Sequence, residues 1–291
     1  MRLPYKVQKL PLNLGFTCPN RDGSIGVGGC IYCNNDAFVP SYAQRHVPLQ
    51  KQIEEGMQFW KAKYTNMKYL AYLQAYSNTY SDLSTIKELY GQILSAKDVV
   101  GLVIGTRPDC MSTPLLDYLE ELSRKKFIMV EYGLESTNDT TLKLINRMHT
   151  YECGKKAVLQ TKVRGIATGV HIIIGLPGEN EDDIIVQSDE IASLHPDVLK
   201  LHQLQVVKGT VLEQMYKDNP FPLYTPEQYV SLVARYLEKL PADIAIDRFV
   251  SQTPPRLLVA PKWNLKPFEF NNMLVEYMKA HSIWQGKAFR F

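Results

Sequence analysis

The segment ATGVHIIIGLPGENEDDIIVQSDEIASL, residues 167–194, reads as one strand, one turn and one helix. Ala167 to Ile174 is an apolar run of strand length, Gly175 and Gly178 interrupt it, and Glu181 to Leu194 then follows a helical pattern. The same unit recurs about six times along the chain. Further strands are expected at Leu10 to Phe16, Tyr69 to Ala75, Val99 to Thr106, Phe127 to Leu134 and Val198 to Gln205. Helices are expected at Pro48 to Lys63, Leu83 to Ala96, Thr113 to Arg124 and Tyr151 to Arg164, the last three behind the capping residues Asp82, Ser112 and Thr150.

Strands alternating with helices of this length imply right-handed crossovers and a parallel sheet, and strands with little polar alternation suit a sheet buried on both faces. Six units can make an open doubly wound sheet or a partial barrel. The strand ends favour the barrel, because functional groups in parallel α/β folds gather at the carboxyl ends of strands. A cysteine-bearing loop follows the first strand here, and QAYSNTY, TRPD, EYGLES, IIIGLPGE and QVVKGT mark the other five ends. The expected fold is therefore α/β, a partial (β/α)6 TIM-like barrel over residues 1–240. TPEQ, 225–228, reads as a capping box opening a helix that ends before Pro241. Residues 241–291 are expected to form a short C-terminal extension packing on the barrel, with a possible strand at Ile244 to Val250 and a last helix around Phe268 to His281.

The 291 residues are 45% hydrophobic and 22% charged, as in an ordinary globular chain, and the formal charge of +3 is too slight to mark a nucleic-acid binder by itself. The N-terminus lacks a secretory h-region, and VVGLVIG and VHIIIGLP are far shorter than a membrane span. A cytoplasmic protein with no membrane association is expected. In a reducing compartment a cysteine cluster points to a metal or catalytic site rather than to disulfides.

CPNRDGSIGVGGCIYC, residues 18–33, holds three of the five cysteines, spaced C-x11-C-x2-C. Thiolates select zinc, copper(I) or iron–sulfur clusters. Zinc would need a fourth ligand, for which His46 is the available residue, giving a non-enzymatic zinc or nucleic-acid-binding protein. A [4Fe–4S] cluster normally takes four cysteines, so Cys18, Cys30 and Cys33 alone would leave one iron open to a ligand.

With Tyr32 before the last cysteine, the loop resembles that of the radical S-adenosylmethionine (SAM) superfamily. The long first gap resembles a subset like the catalytic subunit of Elongator, and within it the shorter YhcC/YtqA-type proteins that lack an acetyltransferase domain. This resemblance spans roughly residues 10 to 240. It implies a [4Fe–4S] cluster on Cys18, Cys30 and Cys33, reductive cleavage of SAM to a 5′-deoxyadenosyl radical, and an external flavodoxin- or ferredoxin-like electron donor. It also implies a transfer-RNA substrate modified at a wobble uridine, without acetyl-CoA chemistry, since only about 50 residues follow the barrel. The alternative within the superfamily is an oxidoreductase acting on a small molecule, as the coproporphyrinogen oxidases do.

The same resemblance nominates the SAM contacts. QAYSNT, 74–79, stands where such proteins carry a Gly-Gly-Glu-like element, so Gln74, Ser77 and Asn78 take that place. TRPD resembles an E-T-R-P-D segment with Gly105 in place of the glutamate, leaving Arg107 to fork onto an anion. GLES and INRMHT supply Glu135 and Arg147, and HIIIGLPGE supplies Gly175 beside the adenine. Glu131 divides evenly between an ion pair and cofactor binding, His171 leans toward a core histidine, and Cys110 and Cys153 toward packed thiols. Lys262, Trp263, Lys266 and Phe268 offer stacking and phosphate groups for RNA, with core packing the commoner use of such a segment.

Overall fold

The computed structural model describes residues 6–35, 39–61 and 67–290. Seven parallel strands form one sheet in the order β1 (Val7–Leu12), β2 (Lys68–Leu73), β3 (Val99–Thr106), β4 (Phe127–Glu135), β5 (Ala167–Ile174), β6 (Val198–Gln203) and β8 (Ala245–Arg248). The crossovers are α1 (Leu49–Lys61), α2 (Leu83–Ser95), α3 (Thr113–Ser123), α4 (Asp139–Leu144) with α5 (Tyr151–Val163), and α6 (Glu181–Leu194). After β6 come β7 (Val206–Val207), α7 (Val211–Asp218) and α8 (Pro226–Glu238), and after β8 come β9 (Leu258–Ala260) and α9 (Pro267–Ala280).

The sheet is curled into a partial barrel. Six steps of about 4.8 Å would hold β1 and β8 roughly 29 Å apart in a flat sheet. Yet Lys9 of β1 reaches Asp247 of β8 with Nζ 2.8 Å from Oδ2. The seventh strand is the difference from the six-unit expectation. It comes from the segment beyond Pro241 and pairs with β6 through Val198↔Ala245 and Leu199↔Ile246.

Alternation along these strands divides helix-facing from interior positions. Leu10, Leu73, Ile104, Val130, Ile172 and Leu201 are buried in the main core, packed with helix residues such as Ile53, Ile86, Leu119, Val158, Ile191 and Val233. On the other face, Leu70, Tyr72 and Val103 form a small apolar plug with Val7, Phe127 and Met129. Beyond it the interior turns polar: Lys9, Glu131, His171, Lys200 and His202 occupy interior positions. These side chains sit in runs that otherwise read as apolar, so the expected lack of alternation holds only for the helix-facing side.

The helix starts are fixed locally. Asp82 accepts from the Thr85 N–H, and Thr225 with Gln228 closes the capping box expected from TPEQ. Asn180 with Asp183 closes a second box at α6, where Glu181, Asp182 and Asp183 complement the helix dipole. Among the described residues no helix is long and apolar enough to cross a membrane.

Candidate functional site

A cavity of about 240 Å³ opens at the carboxyl ends of the strands, and Cys18, Cys30 and Cys33 line it together with Gln74, Arg107, Glu135 and Arg147. The cysteine loop is stitched to the segment after α4. Asn20, fully buried, donates from Nδ2 to the Asn146 carbonyl at 2.6 Å, while Asn146 donates from Nδ2 to the Gly29 carbonyl at 2.8 Å. The Ile31 N–H donates to the Ile145 carbonyl, and the Cys33 N–H to the Cys30 carbonyl. Gly29 is required here: its φ is +83°, and a Cβ would lie 2.8 Å from Arg21 Nε. Arg21 in turn donates to the Cys33 carbonyl at 2.7 Å.

Hydrogen-bond donors approach two of the three sulfurs. Arg147 Nη1 lies 3.5 Å from Cys30 Sγ, Asn20 Nδ2 is 3.7 Å from the same sulfur, and Asn35 Nδ2 is 3.5 Å from Cys33 Sγ. Burial, with Cys30 beside it and against the pull of Arg21, raises the Cys33 thiol above its ordinary pKa. A metal that displaced this proton would leave a thiolate already supplied with charge-assisted donors. Arg147 Nε, Arg107 Nη1 and Asn20 Oδ1 are buried without hydrogen-bond partners among the described residues. These features fit a bound group at the three thiols. Among the described residues no three His, Cys, Asp or Glu side chains converge closely enough for a single ion. His46 is exposed and away from the cavity lining, so the Cys3His zinc site has no support.

The other nominated residues divide. Gln74, Arg107, Glu135 and Arg147 line the cavity, whereas Ser77, Asn78 and Gly175 do not. Ser77 Oγ pairs with Thr106 Oγ1 at 2.9 Å and Asn78 Nδ2 donates to the Gly105 carbonyl at 2.9 Å, so both tie the end of β2 to β3. Gly175 turns the chain at φ +93° against Tyr224. Arg107 does not offer a free fork: Nε and Nη2 are closed on Asp109 at 2.9 and 2.7 Å, with Nη2 also reaching the Arg147 carbonyl. Glu135 adopts a left-handed φ of +69° and stands 3.6 Å from Arg147 Nη2, backbone strain of the kind that collects at ligand sites. Burial pushes the Cys110 thiol up to about 12, consistent with a packed, inert sulfur.

The interior positions below this ring were missed by sequence reasoning as a group. Glu131 Oε2 accepts from Lys200 Nζ at 2.5 Å and from His171 Nε2 at 3.1 Å, and Lys200 Nζ also donates to Tyr72 Oη at 3.0 Å. Glu131 is thus an ion-pair residue that also lines the cavity. Burial would raise its carboxyl, but the His171 hydrogen bond and the Lys200 and Lys9 ammoniums outweigh this and hold it ionised well below the ordinary range. Burial and the Lys200 charge push His171 down, so we assign it as neutral, its Nε2–H on Glu131. His202 stacks on His171 at 5.3 Å, and burial first, then neighbouring charges, lower it as well. The signal that could have found them is period two: Lys200 and His202 share one face of VLKLHQ, as Glu131, Gly133 and Glu135 do in β4.

In the C-terminal segment Trp263 is packing: it stacks on Phe270 at 6.0 Å and its Nε1 donates to the Tyr224 carbonyl. Phe268 is 57% exposed, with Lys266 Nζ 5.8 Å from its ring centre.

Known proteins resemble this chain in sequence and in fold. Residues 13–186 match the model of the radical SAM superfamily, and residues 196–280 match that of a radical SAM C-terminal domain. YtqA of Bacillus subtilis is 32% identical over 98% of this chain and 89% of its own length. A tRNA uridine(34) acetyltransferase of Methanocaldococcus jannaschii is 25% identical over 63% of this chain, which spans only 34% of that relative. Among solved structures, Methanocaldococcus infernus Elp3 with an N-terminal deletion superposes with a TM-score of 0.70 at 20% identity. The match covers 96% of this chain and 64% of that one.

Proposed function

Because the chain belongs to the radical SAM superfamily, an enzyme family that uses a [4Fe–4S] cluster and SAM, we propose that it modifies a uridine of transfer RNA by radical chemistry. The observation that carries the reading is the convergence of Cys18, Cys30 and Cys33 with Gln74, Arg107, Glu135 and Arg147 on one cavity. The transfer-RNA assignment is further supported by the likeness to the tRNA uridine(34) acetyltransferase.

Cys18, Cys30 and Cys33 are the residues that would hold the cluster, which when reduced by an external flavodoxin- or ferredoxin-like donor supplies the electron that cleaves SAM to a 5′-deoxyadenosyl radical. The chain's own work is to bind and shield. Arg147 Nη1 and the Asn20 and Asn35 amides donate to the cysteine sulfurs and stabilise their thiolate form. Gln74 and Glu135 offer polar groups to a ligand's amino and hydroxyl groups, and Arg107 Nη1 and Arg147 Nε offer donors to its carboxylate. Ile31, Ile145, Ile173, Leu176 and Leu204 form an apolar cluster beside the loop that limits water.

The test incubates the reduced, cluster-loaded enzyme with SAM and bulk transfer RNA from cells lacking this protein, followed by nucleoside mass spectrometry. A new uridine derivative that requires SAM is the expected result. Turnover of SAM that is indifferent to RNA and leaves every nucleoside unchanged would move the assignment to a small-molecule substrate.

A further inference from the structure

The cavity has a second pole, remote in sequence from the cysteine loop. Beneath it, Lys9 Nζ lies 2.8 Å from Asp247 Oδ2 and 3.8 Å from Glu131 Oε1, and Lys200 Nζ lies 2.5 Å from Glu131 Oε2 and 3.4 Å from Asp247 Oδ2. Two ammoniums and two carboxylates therefore balance in charge, although Glu131 Oε1 has no hydrogen-bond partner among the described residues. Arg248, at the end of β8, lines the cavity beside this layer, and its side chain has no hydrogen bond or ion pair among the described residues. The layer is left with one uncompensated positive charge, carried by a group whose planar fork matches carboxylate and phosphate.

The neighbouring side chains are arranged as a receptor wall. His202 Nδ1 is engaged by Ser251 Oγ at 2.8 Å, while its Nε2 is buried without a partner among the described residues. Ser251 is itself held by Gln203, whose side-chain oxygen accepts from the Ser251 N–H at 2.5 Å. A buried polar atom left without a partner costs about 1–3 kcal/mol, and a ligand that supplies the partner recovers it. Arg107 and Arg147, at the cysteine pole, are by contrast partly engaged by Asp109, Gly133 and Cys30, leaving only Arg107 Nη1 and Arg147 Nε without partners among the described residues.

We propose that Arg248 and His202 form the recognition site for an anionic oxygen group, a carboxylate or a phosphate, carried by the substrate. This deepens the proposed function and rests on it, since it assigns the Arg248 pole to substrate and the cysteine pole to SAM. It places a charged handle of the substrate at the cavity floor and leaves the reacting part nearer the cysteines.

The test is calorimetric titration of the cluster-loaded, SAM-saturated, unreduced protein with four probes: acetate, inorganic phosphate, uridine and uridine 5′-monophosphate. At least one anion is expected to saturate. Its affinity should fall about tenfold or more, about 1.4 kcal/mol, in Arg248→Gln and less in Arg248→Lys, with no change in the exposed control Arg256→Gln. Phosphate binding, with the monophosphate tighter than uridine, assigns a nucleotide phosphate; acetate binding without phosphate assigns a carboxylate. Equal affinities in the parent and both Arg248 variants, or no saturation by any anion, would overturn the proposal. The visible absorption of the cluster in the same samples reports separately on the enzyme reading.

Discussion

The two poles of the cavity are built in opposite ways. The cysteine pole comes from one loop of sixteen residues, 18–33, braced by a short segment around Asn146 and Arg147. The opposite pole is assembled from single interior residues of five strands: Lys9, Tyr72, Glu131, Lys200 and Asp247, with Arg248 beside them. The first is a local motif and tolerates reading from sequence. The second exists only after the sheet has curled far enough for Lys9 on β1 to meet Asp247 on β8. The groups around the cavity are thus divided between one hydrogen-bonded loop and a floor of sheet residues.

The sharpest way to break this comparison is at the loop. Cys30→Ala is expected to reduce reconstituted iron from about four atoms per chain to a trace while leaving the circular dichroism of the fold intact. Retention of a full cluster would show that the loop is not its sole anchor. Lys200→Ala should do the reverse, destabilising the fold by about 3–5 kcal/mol in urea denaturation, because it strands the buried Glu131 carboxylate. Glu131→Gln with Lys200→Met in one chain should recover most of that loss, since it removes both charges. A double variant as unstable as the single one would mean that packing, not charge, dominates the floor.

A smaller effect is expected at Glu179, in the turn after β5. Burial pushes its carboxyl from 4.5 up to about 7, against a hydrogen bond from Ser136. A carboxyl raised in the folded state contributes its stability fully below the unfolded value and loses it as pH rises through the folded one. Glu179→Gln should therefore gain stability relative to the parent as pH rises from 4.5 to 7, by about 3 kcal/mol at the plateau above that range. Thermal denaturation across that range checks it, and curves that stay parallel would contradict it. Thr225→Ala, at the α8 capping box and outside both poles, should cost about 1 kcal/mol without altering iron content.

How much of this was legible follows from the same division. β3 and β5 stand where their apolar runs end, and α6 spans the residues its periodicity marks, because local pattern and tertiary burial agree there. β1 begins earlier and ends earlier than expected, at Val7–Leu12, because LNLGF turns into the cysteine loop instead of continuing the ladder. The seventh strand was legible as a short run but not as a member of the sheet. The three cysteines, Gln74, Arg107, Glu135 and Arg147, nominated from spacing and resemblance, all line the cavity. Ser77 and Asn78 were drawn to the cavity by their strand-end position, yet they face the β2–β3 seam. Lys200 and His202 carried only a period-two signal within β6, and Arg248 sits at the end of a four-residue strand; no spacing joins residues that meet only across the barrel.

The most direct measurement is anaerobic formation of 5′-deoxyadenosine from SAM by the dithionite-reduced, iron- and sulfide-reconstituted protein, run beside Cys18→Ala, Cys30→Ala and Cys33→Ala. The account predicts SAM-dependent product from the parent chain and none from any of the three variants. A parent chain that assembles its cluster but leaves SAM intact, or a cysteine variant that cleaves it as well as the parent, would contradict the account.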